Sequence, residues 1–243
     1  MLNIAISLGV AAFLALSLNL MHVSLWLSIP LGFVSGAGAL FYLGKRVQEK
    51  LEIISTRASE QIKRQQLDQA LETMKTGYEL APWQLFIKSS IDGQIGVFQY
   101  CRNKHAEAEP LLKSANLKHY VAKAMLAILQ WKRGERALAK KTFDMAIRAG
   151  KKESILYGVY AYLLNEMHER DAAIEILNKG LKYCKDDDRL LSNRTLLQNK
   201  KPMKMKTYGD QWYHFMLERP VIRQEPPAFA RQKVSKRLLR GGR

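Results

Sequence analysis

Charge is missing from the start of this chain: from Met1 to Gly44 there is no Asp, Glu, Lys or Arg, and the first such residue is Lys45. All 39 basic and 22 acidic side chains therefore lie beyond that point. The block also lacks the basic n-region of a secretory leader, and its apolar run is far longer than a leader's 7–15 residues. Ala37-Gly38-Ala39, the one candidate cleavage site, sits deep inside it. Cysteine is equally scarce. Cys101 and Cys184 stand far apart without CxxC spacing, which excludes a disulfide framework and predicts free, fairly buried thiols in a reducing compartment. The five histidines show neither HxxxH nor HExxH spacing, so no metal site is expected. No phosphate-cradling glycine loop, nucleophile elbow or paired-carboxylate motif occurs, and we expect neither an enzyme nor a cofactor.

What fills the uncharged block is two apolar stretches, Leu2 to Leu20 and Ser24 to Leu43, separated by Met21-His22-Val23. Each has the roughly 20 residues that a helix needs to cross a hydrocarbon core of about 30 Å. So short a connection makes them antiparallel neighbours, and residues 1–44 are expected to form a transmembrane helical hairpin. Ser7, Ala11 and Ala15 form a small-residue stripe on the first helix. Gly32, Gly36 and Ala39 form another on the second, where Pro30 can introduce a kink. The stripes pack on each other or on a partner's membrane helix. Lys45, Arg46 and Lys50 follow the second stretch, while the hairpin loop is uncharged. The positive-inside tendency then puts both termini in the cytoplasm, as expected of a multi-pass protein of a bacterial inner membrane.

Residues 45–200 contain no sustained strand-like alternation, and period-3.6 apolar patterns dominate. Four segments share one frame, in which a small residue precedes a large apolar one by four positions and a second small one follows three later. The triplets are Ala70/Met74/Gly77, Ala108/Leu112/Ala115, Ala139/Phe143/Ala146 and Ala173/Leu177/Gly180. Small residues a turn either side of a bulky one leave a hole for a knob from the neighbouring helix. The triplets recur at spacings of 38, 31 and 34 residues.

That frame resembles the second helix of the tetratricopeptide repeat, with its alanine, aromatic and alanine and its period of about 34 residues. Tyr157, Tyr160, Ala161 and Leu164 stand where the family's first helix carries Trp, Leu, Gly and Tyr; Ile95-Gly96 and Leu126-Ala127 supply the same pair in earlier repeats. Asn103 and Gly134 fall at the turn between helices, and Pro82 at the closing proline. The first repeat has a poor first helix (Ile54, Arg57, Ala58, Gln61), and Pro110 crowds the start of a second helix. An irregular helical bundle is the alternative. The fold expected is all-α: the hairpin, then a helix-pair solenoid of about four repeats with a capping helix begun by Asp186 or Asp187, then a basic, partly disordered tail over 201–243. Lys45 to Lys63 can continue the second membrane helix, since no Pro or Gly intervenes.

The resemblance implies a concave groove lined by first helices. Its groove positions transfer to Val97, Tyr100, Ile128, Trp131, Tyr162 and Asn165, a largely apolar and aromatic lining suited to a protein partner. Ser55 and Ser59 stand where chaperone-binding members carry their carboxylate clamp, so that clamp is not expected. From Lys200 onward twelve Lys and Arg face only Asp210, Glu218 and Glu225. Trp212, Tyr213 and Phe215 suit docking on the end of the solenoid. Lys45, Arg46, Lys233, Lys236, Arg237 and Arg240 suit anionic lipid headgroups at the bilayer surface. The function expected is that of a membrane-anchored adaptor or assembly factor for a protein partner. The alternative is a tethered factor binding nucleic acid or ribosomes through the tail, which charge permits but no motif supports.

Overall fold

A computed structural model describes residues 1–22 and 24–218. Within them the chain is all-helical, and the first two elements are the uncharged ones. Helix α1 (Leu2–Leu20) packs antiparallel against the first half of α2 (Leu25–Lys63). The two small-residue stripes meet. A Cβ on Gly32 would lie 3.0 Å from Ala15 Cβ, and one on Gly36 would lie 2.8 Å from Ala11 Cβ and 2.9 Å from Ser7 O. Both helices are long and apolar enough to cross a membrane. Their outer faces expose Phe13, Leu20, Trp26, Phe33 and Phe41, a surface unlike that of a buried core helix.

Helix α2 does not stop where the charges begin. It runs on through Lys45 to Lys63 and pairs with α3 (Leu67–Thr76). Three further antiparallel pairs follow: α4 (Ile87–Cys101) with α5 (His105–Ser114), α6 (Tyr120–Lys132) with α7 (Arg136–Ala149), and α8 (Ser154–Glu166) with α9 (Arg170–Tyr183). Helix α10 (Asp188–Gln198) rests on α9, capped by Asp187, whose carboxylate accepts from the backbone N–H groups of Arg189 and Leu190. Burial works to raise the Asp187 pKa. Hydrogen bonds from Arg189, Ser154 and the Leu190 N–H outweigh it and hold the carboxyl at about 2.

The four pairs share one turn. Gln65, Asn103, Gly134 and His168 all have positive φ, between 62° and 84°. In each turn that residue's N–H bonds back three residues, to Ile62, Tyr100, Trp131 and Asn165. The next N–H reaches five back, to Gln61, Gln99, Gln130 and Leu164. This is the Schellman closure, which satisfies the orphan carbonyls of the first helix. The periodicity of the triplets is therefore a periodicity of backbone geometry.

All twelve triplet residues are buried except Met74, which is half-buried. The holes take the expected knobs: a Cβ on Gly180 would sit 2.8 Å from Tyr157 Cγ, and one on Gly77 2.9 Å from Ile91 Cδ1. Pro110 is accommodated within α5. Two polar devices tie successive elements. Asp92, 4% exposed on α4, accepts from Tyr78 Oη at 2.6 Å and from Ser114 Oγ at 2.8 Å. Lys123, buried on α6, donates to the Leu112 and Lys113 carbonyls and so closes the end of α5. The free thiols differ from expectation in burial: Cys101, the last residue of α4, is exposed, and Cys184 is half-buried.

Candidate functional site

The groove residues lie on α4 (Val97, Tyr100), α6 (Ile128, Trp131) and α8 (Tyr162, Asn165), and the chain's own C-terminal segment contacts Tyr100 and Tyr162. After α10 the backbone is held by Asn193, whose Oδ1 accepts from the Lys204 N–H at 2.7 Å. A single 3-10 turn (Met205–Tyr208) and the short helix α11 (Asp210–Tyr213) then lie against α8. Tyr208 packs where Gly158 leaves room, since a Cβ there would be 2.9 Å from the Tyr208 oxygen. The Arg189 guanidinium lies 4.8 Å from the Tyr208 ring centroid. Trp212, fully buried, meets the Tyr162 ring edge-on with centroids 5.0 Å apart. The Tyr100 hydroxyl on α4 donates to the Phe215 carbonyl at 2.7 Å.

Burial corrects the groove assignment at Tyr100 and Ile128. Tyr100 and Ile128 are 0% exposed and belong to the main core, so neither offers surface to a partner in this conformation. Burial pushes the Tyr100 hydroxyl well above the usual tyrosine range, leaving it a neutral donor. Val97, Trp131 and Tyr162 are half-buried and pack against the same core. Asn165 is half-buried beside Glu166, His168 and Arg170 around a shallow cavity of about 350 Å³. The aromatic segment docks as its composition implied, but along the first-helix faces back to α4, not only on the end. Its concentration of aromatic side chains, Tyr208, Trp212, Tyr213 and Phe215, was the signal available for that docking.

A different stretch of first-helix surface is uncovered. Between α2, α3 and α4 lies a cavity of about 260 Å³ whose polar rim includes Gln48, Glu52, Ser55, Ser90 and Gln94. Sequence reasoning missed it because the first repeat matches the family pattern poorly and supplies no aromatic side chains there. Of the residues assigned to the membrane surface, Lys45 is exposed and 4.0 Å from Glu49, and Arg46 is exposed one residue on. Lys233, Lys236, Arg237 and Arg240 lie outside the described residues. Comparison of the chain with protein-family models, with curated proteins and with solved structures gives no match.

Proposed function

We propose that this protein is a membrane-anchored adaptor or assembly factor. In this reading α1 and α2 form a transmembrane hairpin in a bacterial inner membrane. The helix pairs form a tetratricopeptide-type solenoid that presents its first-helix face to a protein partner in the cytoplasm. One observation carries the proposal: α2 passes without a break from a lipid-like surface into the first helix pair. The pairs are thereby rigidly joined to the apolar helices and held close to whatever surface those helices enter. The partner surface has two parts, the polar cavity at Gln48, Glu52 and Gln94 and the half-buried edge formed by Val97, Trp131 and Asn165.

A photoreactive amino acid placed at Gln94 or Trp131 of the full chain, irradiated in native membranes, tests this directly. A discrete protein adduct at either position is expected, recovered unchanged after nuclease treatment. Adducts that disappear with nuclease, or none at both positions, would overturn the adaptor assignment.

A further inference from the structure

At the junction of the apolar helices with the first helix pair lies a cavity of about 210 Å³. Its walls include Asn3 of α1, Leu43, Arg46 and Lys50 of α2, and Leu80 and Trp83 from the connection between α3 and α4. Asn3 is 2% exposed, and neither its Oδ1 nor its Nδ2 has a hydrogen-bond partner in the protein. A buried amide is costly in that condition unless something outside the chain completes it. Arg46 and Lys50 stand one helical turn apart on the same face of α2. Among the described residues neither has a carboxylate within ion-pair distance, although Lys45 beside them pairs with Glu49. A planar guanidinium, an ammonium and an uncompleted amide around one cavity are the chemistry that takes an oxyanion, phosphate above all.

The backbone sets the height of this cavity. The first N–H donors of α1 are satisfied by the α3–α4 connection, Leu2 N–H to Pro82 O at 2.9 Å and Asn3 N–H to Trp83 O at 3.1 Å. The connection is thus fixed level with the end of an apolar helix and with the first charges of α2. From it project Trp83, Leu85 and Phe86, which are 38%, 41% and 67% exposed. Phe86 is held there at φ 67°, a conformation rarely adopted by a bulky residue. Exposed aromatic and aliphatic side chains beside a basic pair match the layer where headgroups meet acyl chains.

We propose that this cavity binds the phosphate of an anionic phospholipid. Arg46 and Lys50 neutralise the headgroup, the Asn3 amide donates to it, and Trp83, Leu85 and Phe86 enter the interface beside its acyl chains. The site rests on the reading of α1 and α2 as membrane-spanning. Free phosphate shares the headgroup chemistry but has no use for the apolar rim.

The full chain in non-ionic detergent is melted with dihexanoyl phosphatidylglycerol, dihexanoyl phosphatidylcholine or inorganic phosphate. Saturating phosphatidylglycerol should raise the melting temperature by roughly 5–10 °C, the shift expected of a ligand near a hundred times its Kd. Phosphatidylcholine should give a smaller rise and inorganic phosphate none. Arg46→Gln with Lys50→Gln should remove the phosphatidylglycerol shift, whereas Lys63→Gln, exposed at the far end of α2 and outside the cavity, should keep it. Should the double variant melt low without lipid, Lys50→Gln alone, at an exposed position, must still reduce the shift. A full shift in these variants, or inorganic phosphate matching the lipid, overturns the site. Alkaline extraction of native membranes reads the anchor separately: release of the wild-type chain sinks the spanning reading, while retention without a lipid shift sinks only this site.

Discussion

Individual side chains carry strain and satisfaction that differ from turn to turn of the repeat. Gly134 adopts its left-handed turn freely, but Gln65 occupies the same conformation at a steric cost of about 1–2 kcal/mol. Gln65 is also exposed, so its side chain contributes little packing to offset that cost. Gln65→Gly is therefore expected to stabilise the protein by about 0.5–1 kcal/mol, and Gln66→Gly to lower stability; chemical denaturation of both variants distinguishes the two. His119 sets a pH dependence. As N-cap of α6 its Nδ1 accepts from the Ala122 N–H at 3.3 Å, and burial, then the nearby Lys123 charge, lowers its pKa below the usual value. Between that lowered pKa and about 6.5 the unfolded chain binds a proton that the folded one refuses, so stability falls as pH drops through this window. His119→Asn keeps a cap acceptor and cannot titrate, so its stability should decline less between about pH 7 and 5. His105, whose pKa is also lowered by burial, leaves part of the slope in place. Parallel slopes for variant and wild type would show that His119 does not contribute.

Among elements, the contact between α1 and α2 is set by two glycines. Gly36→Leu would push a side chain into Ala11 and the Ser7 carbonyl, whereas a Cβ on Gly38 would meet nothing within 4 Å, so that position faces outward. Overpacking of this kind costs typically 1–3 kcal/mol. The Gly36 variant should lose thermal stability in detergent, and Gly38→Leu should stay within about 0.5 kcal/mol of wild type. Equal effects at both positions would mean that the small-residue stripe does not hold the helices together. The helix pairs were legible in the sequence at this scale. Each triplet specifies a close approach, and close approach between consecutive helices needs only a short turn, which Asn103 and Gly134 announce. The turn at Gln65 was not announced, because glutamine does not favour positive φ; the Schellman hydrogen bonds, not the side chain, impose it there.

For the whole molecule, the C-terminal segment is part of the core. Met205, Tyr208, Trp212 and Phe215 are at most 4% exposed and join the same cluster as α6 and α8. Trp212→Ala should destabilise the chain by about 3–5 kcal/mol, the range for truncating a buried Trp. Tyr100→Phe, which loses only the hydrogen bond to Phe215, should cost about 1 kcal/mol. A Trp212→Ala melting temperature within about a degree of wild type would instead make the segment a loosely held strap.

The two apolar helices, the continuation of α2 into the charged region and the frame of the four pairs were determined by the sequence alone, because each rests on local patterns of hydropathy, size and turn chemistry. Burial of Tyr100 beside the C-terminal segment, and of Ile128 in the main core, was decided only by the tertiary structure. So was the meeting of Asn3, Arg46, Lys50 and Trp83 around one cavity. Residues 100 and 215, or 3 and 83, are brought together by the path of the whole chain, and no local pattern encodes which distant backbone will cover a helix face. The same apolar, aromatic lining suits a foreign partner and the protein's own tail, so composition could identify a binding surface but not its occupant.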